Sequence, residues 1–525
     1  MSISRRGFLQ LLLVNSAVLS IPDVLFSSEA QEMYPRGFYE KPFTVSMNLP
    51  QVDGYLGYID ATSQYTIDVM PVSEIASMTS TMGAQFTWFT KDKKGQYFSP
   101  LLDVKRGGVM RLLFPNTILK EPIVPYITGL IFQENSIEYM YSANANRSAY
   151  RVQCSVQNPA STCIYHSMRE GNSGFYNHQG LSGLLYVHDD IEKMLNARYK
   201  IEAGVTDIPI VLQDRRLNTK GECVYELSRN DELGGYLGNT LLVNGGVYPQ
   251  LEVANRIYKF RIVNNSNARM LYLGFRTEKE PIAHYIISTG KGYLEKMVKT
   301  TQFFLAPFER VEVILDLRAM KGKSISLVNY PFPSMRATKG YIRNTYTDIE
   351  QKGCYCMELN CSLDYKEELP SLSLLTGEKS TSLSTAKIKR DFIVTNISDK
   401  QGVKWRLETK STVPRELLLE GGHVEEWEFI NPVESIPQCI YIPYFTVQML
   451  RRVDSPSHIR LLALNQEGLI ATDLGVKDTI TIWPGERVIV KVAIPKTDGR
   501  EIVVTIHSKI LESFDKGMLL LTRAL

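Results

Sequence analysis

The sequence predicts an all-β protein built from three sandwich domains, and three observations support this fold class. Short runs of β-branched and aromatic residues bounded by Gly, Pro and Asn recur along the chain, while helical periodicity is scarce. The runs 258–262 and 310–317 alternate charged and apolar residues, which is typical of antiparallel sheets with one face in water. Finally, certain sequence elements return at intervals as long as whole domains.

Two kinds of element repeat. The segment LAPFERVEVILDL (305–317) returns as TIWPGERVIVKVAI (481–494), and in both a Pro-x-Glu-Arg-Val turn opens an apolar strand. A strand that ends in asparagine occurs three times, at Asn116, Asn264 and Asn431. Repeats this far apart indicate whole domains rather than solenoid units.

The chain of 525 residues is too long for one domain, and the repeats divide it. We expect a signal peptide, two domains, a linker rich in Ser, Leu, Thr and Lys, and a third domain. In chain order these segments are 1–30, 31–195, 203–345, 346–387 and 388–525.

The composition is that of an ordinary globular protein, with 44% hydrophobic and 22% charged residues. The formal net charge is +3, from 59 basic and 56 acidic residues. A field this weak gives no reason to expect binding to nucleic acid or to an anionic membrane surface.

The N-terminus resembles a twin-arginine export signal. Arg5 and Arg6 precede Gly-Phe-Leu and a mildly apolar stretch over 11–21, which is about half the length needed to span a bilayer. Small residues at Ser28 and Ala30 predict cleavage near Ala30. The expected partner during export is the twin-arginine translocase, and the mature protein is expected outside the cytoplasm without a transmembrane anchor. The alternative is a chance arginine pair in an uncleaved anchor.

The seven cysteines leave two interpretations open. Cys354, Cys356 and Cys361 lack the paired spacing of a zinc site, so a loop disulfide or free thiols are favoured over a metal knuckle. Cys154 and Cys163 would close a short loop in an oxidising compartment.

The segment STCIYHSMREGNSGFYNHQGLSGLLYVHDD (161–190) resembles the first-domain signature of the multicopper oxidases. It has an aromatic and histidine motif, a spacer, and then Gly-Leu-x-Gly before a closing strand. The resemblance extends in the expected order over nearly the whole mature chain, through the segments 208–222, 238–253, 261–273 and 506–518. It implies three cupredoxin-like Greek-key β-sandwich domains.

The run 212–269 is similar to copper-free relatives of these oxidases that act in bacterial cell division. This resemblance implies a periplasmic protein at the division septum that contacts divisome proteins and helps to stabilise the assembly, particularly under stress. It implies no enzymatic activity and no cofactor.

The histidine count excludes the full copper complement. The resemblance implies ten histidine ligands and one cysteine ligand for four coppers, because copper is bound chiefly by imidazole and thiolate, yet the chain has seven histidines in all. Where the first His-x-His motif is expected, the chain has Tyr126 and Thr128. Where the second is expected, it has His166 and Met168.

The third-domain motifs are changed as well. His-Pro-x-His-x-His corresponds to the run 436–441, which includes Cys439 and has no histidine. At the His-Cys-His motif a serine replaces the thiolate of the blue site and a lysine replaces a metal ligand. The vestigial copper positions, none of them assigned to metal, are His166, Met168, Cys439, His507, Ser508, Lys509, Ser513 and Met518. Two alternatives stay open: a two-histidine site for adventitious copper or zinc, and Met168 as a soft Cu(I) ligand beside His166.

No other residue group indicates catalysis. The remaining histidines lack ligand spacing and are expected on the surface or at strand ends: His178, His188, His284, His423 and His458. Asp214, Arg215 and Arg216 are interpreted as an ion-pair cluster at a strand end. The pairs 425–426 and 309–310 are interpreted as solvated faces.

Three functions remain as hypotheses. The favoured one is a non-enzymatic division protein of the periplasm. The second is a residual copper-binding protein or degenerate oxidase, and the third is a general periplasmic chaperone or envelope-binding module.

Overall fold

The computed structural model describes residues 43, 45–47, 49, 58–63, 65–72, 84–91, 96–115, 123–131, 149–336, 341, 345–372, 383–400, 402–409, 416–497 and 499–525. The predicted signal peptide, with Arg5, Arg6 and the cleavage site at Ala30, lies outside these residues, as does Asn116. Within them, every helix is too short or too polar to span a bilayer. The described part is mostly β-structure, so the predicted fold class is confirmed.

The first sandwich is formed by β2 to β12. Its five-stranded sheet has the order β2-β7-β12-β11-β9, and two three-stranded sheets, β10-β8-β3 and β4-β5-β6, complete it. Trp88 lies in its core with no exposed surface. The strands are β1 Val45–Ser46, β2 Tyr58–Asp60, β3 Tyr65–Thr66, β4 Asp68–Pro71, β5 Phe86–Lys91, β6 Gln96–Phe98, β7 Leu101–Lys105, β8 Val109–Pro115, β9 Pro125–Thr128, β10 Ala149–Ser155, β11 Ser161–Ser167 and β12 Ser182–His188.

The second sandwich packs the sheet β14-β13-β16-β22-β19-β20 against the sheet β1-β15-β24-β23-β17-β18, with β21 paired to β17. The strands are β13 Asp207–Arg215, β14 Thr240–Val243, β15 Pro249–Ala254, β16 Ile257–Asn264, β17 Leu271–Arg276, β18 Pro281–Ile282, β19 His284–Ser288, β20 Tyr293–Thr300, β21 Phe303–Leu305, β22 Arg310–Asp316, β23 Ser324–Asn329 and β24 Cys354–Leu363. Strand β1 crosses over to it by parallel pairing with β15.

The third sandwich packs the sheet β26-β25-β28-β32-β30 against the sheet β27-β34-β33-β29-β31. Trp405, Trp427 and Trp483 are buried in its core. The strands are β25 Ile388–Asp399, β26 Gly402–Glu408, β27 Glu416–Leu419, β28 Val424–Ile430, β29 Gln438–Tyr441, β30 Thr446–Val453, β31 Thr479–Ile482, β32 Arg487–Ala493, β33 Ile502–Ser508 and β34 Leu519–Ala524.

Short helices connect the strands and fill the domain boundaries. They are α1 Ser173–His178, α2 Asp190–Tyr199, α3 Arg229–Gly234, α4 Asp348–Lys352, α5 Ser457–Arg460 and α6 Leu511–Asp515, with 3₁₀ turns at Thr345–Thr347 and Ala471–Asp473. Helix α2 begins with Asp189 as its N-cap, which accepts a hydrogen bond from Glu192 N, and it joins the first sandwich to the second.

Part of the predicted linker is wrong. Strand β24 lies inside the segment 346–387, but it pairs with β23 and with β15 in the middle of a second-domain sheet. Its buried side chains alternate with partly exposed ones over ten residues, but Glu358 and Asn360 within the run are weak strand formers, so the sequence resembles a loop. The other predicted boundaries stay predictions.

The expectation that β16 turns its charges to water is also wrong. Lys259 and Arg261 alternate with apolar residues as predicted, yet both are fully buried. Arg261 makes two 2.8 Å hydrogen bonds to the carboxylate of Asp207, and Lys259 Nζ lies 2.6 Å from Glu192 on α2. The polar face of this sheet is covered by α2 and by the first sandwich, where Thr162 on β11 accepts a hydrogen bond from Arg261. A period of two identifies a polar face but does not say whether water or another domain covers it.

The predicted solvated faces at 309–310 and 425–426 need the same correction. Glu309, Arg310 and Glu425 are at most 6% exposed and all are ion-paired, Glu425 with Arg390. Glu426 is more exposed than its neighbour Glu425, and its carboxylate contacts Lys389.

All seven cysteines are free and buried, so neither of the two disulfides considered from the sequence is present. Cys354, Cys356 and Cys361 all lie on β24, and all three face the core of the second sandwich. Burial raises the pKa of Cys356, which keeps it protonated.

Candidate functional site

The vestigial copper positions are brought together where the first and third sandwiches meet. Strand β9 contributes Tyr126 and Thr128, β11 contributes His166, and β33 leads through His507 to Lys509. All five side chains are at most 4% exposed. The structure therefore brings positions from the first-domain and third-domain motifs together at one site, and the side chains there differ from the ligands of a copper cluster.

Lys509 lies at the centre of this site, inside a cage of aromatic rings. Its Nζ is 4.5 Å from the ring centroid of Tyr441, 4.9 Å from that of Tyr126 and 5.1 Å from that of Phe308. Ring faces attract a cation, so this geometry stabilises an ammonium group. Burial acts in the other direction and lowers the pKa of Lys509 well below its ordinary value, with Asp478 partly offsetting the effect.

A chain of hydrogen bonds joins Lys509 to His166. Lys509 Nζ donates to Thr128 Oγ1 at 2.6 Å, and Thr128 Oγ1 lies 2.9 Å from His166 Nε2. On the other side of the ring, His166 Nδ1 lies 3.2 Å from Ser167 O. A neutral imidazole with its proton on Nδ1 satisfies all three contacts, because Thr128 then accepts from the lysine and donates to Nε2. Burial, followed by the charge of Lys509, lowers the pKa of His166.

His507 is held in a similar neutral state. Its Nδ1 lies 2.8 Å from Thr505 O, while Nε2 is buried without a hydrogen-bond partner among the described residues. The rings of Tyr441, Phe514 and Tyr126 pack around it at 5.2, 5.4 and 5.8 Å between centroids. Burial lowers the pKa of His507.

These residues do not fit a copper cluster. An amine stands where an imidazole ligand is expected, and its positive form repels a metal ion. The surrounding positions are filled by phenol and phenyl rings in direct contact. No group of three or more His, Cys, Asp or Glu side chains with metal-binding geometry occurs in the part of the chain that the structure describes.

The blue-copper positions are likewise filled by ordinary packing and hydrogen bonds. Ser508 Oγ accepts from Ile510 N at 3.0 Å, and Ile436 and Met518 are fully buried. Ser513 is buried on α6. Serine oxygen does not supply the soft thiolate bond on which such a site depends.

Two further donors that the sequence singled out are occupied otherwise. Cys439 Sγ points to Pro307 O at 3.2 Å, and burial raises the pKa of this thiol well above its ordinary value. Met168 Sδ lies 3.7 Å from Lys509 Nζ. The sulfur of Met168 therefore packs against the lysine, while that of Cys439 contacts the backbone of the second sandwich.

Sequence reasoning missed four residues that complete the site. Tyr441 Oη accepts from Gly129 N at 2.8 Å, and Phe308 packs on His166 with 4.7 Å between ring centroids. Arg310 donates two hydrogen bonds to Asp478, at 2.6 and 3.1 Å, directly behind the cage. Tyr441 is the last residue of the motif run 436–441, and Phe308 and Arg310 lie in the repeat 305–317. Membership of a motif or of a repeat was therefore the sequence signal that could have identified these three residues.

The first and third sandwiches are also joined at α1 and α6. Asp515 accepts hydrogen bonds from the backbone N–H groups of Gly171, Ser173 and Gly174 at 2.9 to 3.0 Å. Burial raises the pKa of Asp515 to about 7, while these donors act to lower it. Neighbouring Glu512 accepts from Tyr225 Oη at 3.0 Å, and burial raises its pKa too.

Asp214 and Arg216, at the end of β13, form ion pairs, as the interpretation of this segment as an ion-pair cluster predicts. Asp214 pairs with Arg269 at 2.7 Å. Arg216 pairs with Asp231 and stacks 3.8 Å from the Tyr236 ring.

The prediction of a surface or strand-end position was wrong for His178, which is buried on α1, whereas His284 begins β19 as a strand-end residue and is also buried. Burial and the charge of Arg215 lower the pKa of His178 to about 3, and burial lowers that of His284 to about 4. His188 bridges Asp103 and Glu192.

His423 lies beside Glu420 at 3.1 Å. His458 packs 4.8 Å from the Trp483 ring. Neither lies among the vestigial copper positions.

The fold and the site together define a three-domain protein of multicopper-oxidase architecture whose cluster positions are filled by amine, hydroxyl and aromatic groups. Two solved structures share this fold. McoA multicopper oxidase from Aquifex aeolicus superposes with a TM-score of 0.75 and 21% identity, covering 91% of this chain and 99% of that one. The laccase-like oxidase CueO from Ochrobactrum sp. gives 0.69 and 21%, covering 91% and 100%.

The relatives found by sequence similarity are named as cell-division proteins, whereas the structural neighbours are oxidases. The chain is 25% identical to Cell division protein FtsP of Xenorhabdus nematophila over 430 residues, which is 81% of this chain and 82% of the relative. It is 32% identical to Cell division protein FtsP of Gallibacterium anatis over 246 residues, which is 45% of this chain and 50% of the relative. No family model matches the chain. The resemblance predicted from the sequence is therefore confirmed, both in fold and in the similarity to cell-division proteins.

Proposed function

We propose that this chain is a non-enzymatic cell-division protein of the periplasm. In this proposal it stabilises or protects the divisome through protein contacts, especially under stress. The observation that carries the proposal is the position of Lys509 at the centre of the aromatic cage. The similarity to proteins named Cell division protein FtsP supports a role in cell division.

The geometry argues against electron transfer through the ancestral sites. Ser508 replaces the thiolate that would receive electrons, and Lys509, Thr128 and Tyr126 replace three of the cluster ligands. Electron transfer along this route needs metal at both ends, and neither end retains a complete set of donors.

Contacts between domains support a role as a rigid binding body. Arg310 on the second sandwich reaches Asp478 on the third and Thr162 O on the first, at 2.6 and 3.0 Å. Asp515 joins the third sandwich to α1. A body fixed in this way presents a preorganised surface, which reduces the entropy lost on association.

The decisive experiment is localisation in dividing cells. A tagged chain is expected at mid-cell, and a strain without the gene is expected to divide poorly under osmotic or heat stress. The matched control changes Arg5 and Arg6 to Lys, which should stop export and abolish rescue of that strain.

An even distribution around the envelope would contradict the septal role and favour a general envelope chaperone. Rescue by the Lys-Lys control at the wild-type level would contradict twin-arginine export.

A residual copper-binding function is the second candidate, favoured by the Nε2 of His507, which has no hydrogen-bond partner in the described part of the chain, and by the persistence of His166. Metal analysis of protein exported in copper-rich medium tests it. We expect well below one copper ion per chain and no thiolate-to-copper absorption. One ion per chain, lost in His507→Gln but kept in His458→Gln, would establish this second function instead.

A further inference from the structure

His188, the last residue of β12, lies between two carboxylates at the start of α2. Its Nε2 lies 2.6 Å from Asp103 Oδ1 on β7, and its Nδ1 contacts the carboxylate of Glu192 on α2. On its own strand, the ring of Tyr186 packs edge-on at 6.2 Å between centroids. A neutral imidazole donates from only one nitrogen, so its other nitrogen would turn a lone pair towards a carboxylate oxygen. Both contacts are favourable only when both nitrogens carry protons, and the geometry therefore indicates a positively charged His188.

The contact of this histidine with α2 continues into the second sandwich. Glu192 Oε1 accepts a hydrogen bond from Lys259 Nζ at 2.6 Å and also pairs with Arg261. Both cations lie on β16, and both contact Asp207, Lys259 at 2.9 Å and Arg261 at 2.8 Å. Arg261 reaches Glu312 on β22 as well, at 3.0 Å. Helix α2 is therefore held to the first sandwich through His188 and to the second through the cations of β16.

The charges of this network balance only when the histidine carries its extra proton. The carboxylates are Asp103, Glu192, Asp207 and Glu312, and the cations besides His188 are Lys259 and Arg261. With a neutral ring, two cations would face four carboxylates, and Asp103 would have no cationic partner in the described part of the chain. Uncompensated charges of one sign repel each other strongly where water is largely excluded. Loss of the proton is therefore expected to weaken the attachment of α2.

The other side of the ring is open to water. The side chain of His188 is 29% exposed and borders a groove of about 570 Å³. The other charged residues that line this groove are Lys105, Arg106, Asp189, Asp190, Glu192 and Lys193. The cations oppose a positive ring and Asp190 favours it, whereas both oxygens of Asp189 accept backbone N–H groups, from Ala160 and Glu192. The proton of His188 can therefore exchange with solvent while the chain stays folded.

We propose that His188 is a proton-dependent bridge: its doubly protonated ring joins α2 to β7, and loss of one proton releases this contact and weakens the junction between the first and second sandwiches. Burial acts to lower the pKa of His188, but the hydrogen bonds to Asp103 and Glu192 together outweigh it and raise the pKa to about 9. Because this value lies above the ordinary value of about 6.5, the stabilisation is complete below pH of about 6.5 and is lost as pH rises through about 9. The bridge is separate from the vestigial copper positions and goes beyond the proposed division role.

Proton NMR of the histidine Cε1–H groups in the mature chain tests the charge of the ring directly. One resonance, identified by its absence in His188→Gln, is expected to titrate with a midpoint near pH of about 9.

Asp103→Asn removes one of the two carboxylates at a side chain that is 39% exposed, so this variant is expected to fold. It should lower the midpoint of the same resonance by about one pH unit or more, an effect that a purely structural role of the histidine would not produce. A midpoint below pH of about 7 in the wild-type chain, or an unchanged midpoint in Asp103→Asn, overturns the proposal.

Urea unfolding tests whether the proton holds the junction. The urea midpoint of His188→Gln should lie below that of wild type at pH of about 7, and the difference should shrink to less than about a third at pH of about 10, where both chains lack the charge. Asp103→Asn should show the same convergence, which keeps the test available if His188→Gln does not fold.

The matched control is His423→Gln in the third sandwich, because His423 lies beside the single carboxylate of Glu420 at 3.1 Å. Its difference from wild type should stay the same between pH of about 7 and about 10. A difference for His188→Gln that is equally large at both pH values would show that the ring acts by packing and would overturn the bridge.

Discussion

The Pro-x-Glu-Arg-Val repeat occurs in the second and in the third sandwich, and both copies make the same turn around an asparagine. In the second sandwich, Phe308 N donates to Asn264 O at 2.7 Å, and in the third, Gly485 N donates to Asn431 O at 2.9 Å. The asparagine side chains also correspond, since each donates from Nδ2 to two backbone carbonyls within its own domain. The sequence repeat is therefore a structural repeat.

The glutamate has the same local role in both copies. Glu309 Oε2 accepts from Ala306 N at 2.9 Å, and Glu486 Oε2 accepts from Trp483 N at 2.9 Å. Each carboxylate thus closes its turn by accepting from the residue three positions earlier. Both glutamates are buried, because each also pairs with a cation.

The arginine that follows behaves differently in the two copies. Arg310 is 2% exposed and contacts groups from all three sandwiches, whereas the side chain of Arg487 is 43% exposed and contacts Glu428 and Asp454 at its own domain surface. The same local sequence therefore produces the same turn, while its position in the assembly decides whether the arginine is a domain clamp or a surface residue.

The largest effect is expected for Arg310→Met. The change leaves the Asp478 carboxylate buried without its partner, and breaking a buried pair in this way costs about 3–5 kcal/mol. The loss is measured as a shift in the urea midpoint, followed by the fluorescence of the four tryptophans, all of which are buried. The double variant Arg310→Met with Asp478→Leu should recover much of it, because neither charge then remains. A single variant as stable as wild type would show that the clamp does not hold the domains.

The next largest effect is expected at the position before the glutamate. Phe308 has a left-handed φ of +61°, and Gly485 occupies the same place with φ of +81°. A non-glycine residue there costs about 1–2 kcal/mol, and the buried ring of Phe308 offsets it by packing on His166 beside Lys509. Phe308→Gly should therefore destabilise by about 2–4 kcal/mol, less than a usual Phe truncation.

The third-domain copy provides the control for this position. Gly485→Ala should cost about 1–2 kcal/mol, chiefly through backbone strain, because the added Cβ would otherwise meet only Val433 Cγ2 at 3.3 Å. Thermal unfolding of both variants, monitored by circular dichroism, distinguishes the two costs. A larger loss of stability in Gly485→Ala than in Phe308→Gly would contradict the view that packing of the Phe308 ring offsets its backbone strain.

The clamp also predicts a pH dependence. Arg310 lowers the pKa of Asp478 against the opposing effect of burial. Because the folded-state pKa lies below that of the unfolded chain, the stabilisation is complete above pH of about 4 and is lost as pH falls further. Urea midpoints of wild type and Asp478→Asn should therefore converge below pH of about 4. A constant difference from pH 7 to about 3 would contradict the ionised pair.

Much of this fold could be predicted because it depends on local and repeated patterns. The strand alternation at 258–262 predicted the sandwiches, and the asparagine-ended strand at Asn116, Asn264 and Asn431 predicted their number. Ligand counting predicted that copper ligands are replaced, since Ser508 and Lys509 lie at identifiable motif positions. These inferences need only the order of residues along the chain.

What could not be predicted depends on which surfaces meet. Lys259, Arg261 and Arg310 have the sequence pattern of a solvated face, and only the docking of α2 and of neighbouring domains buries them. The aromatic cage has the same origin, because Tyr126, Phe308 and Tyr441 come from three different sandwiches. No local pattern relates residues so far apart in the chain.

The smallest effect is expected for Arg487→Met, which is the sharpest test of the comparison because it makes the same chemical change as Arg310→Met. Its partners Glu428 and Asp454 lie at the surface, and exposed pairs of this kind contribute about 0–1 kcal/mol. Salt screens such pairs, so the urea midpoint of Arg487→Met should approach that of wild type as the salt concentration rises to about 1 M. The deficit of Arg310→Met should persist at the same salt concentration, because its pair is shielded from ions. Equal losses in the two variants would mean that the turn itself, and not its place between domains, sets the contribution of the arginine.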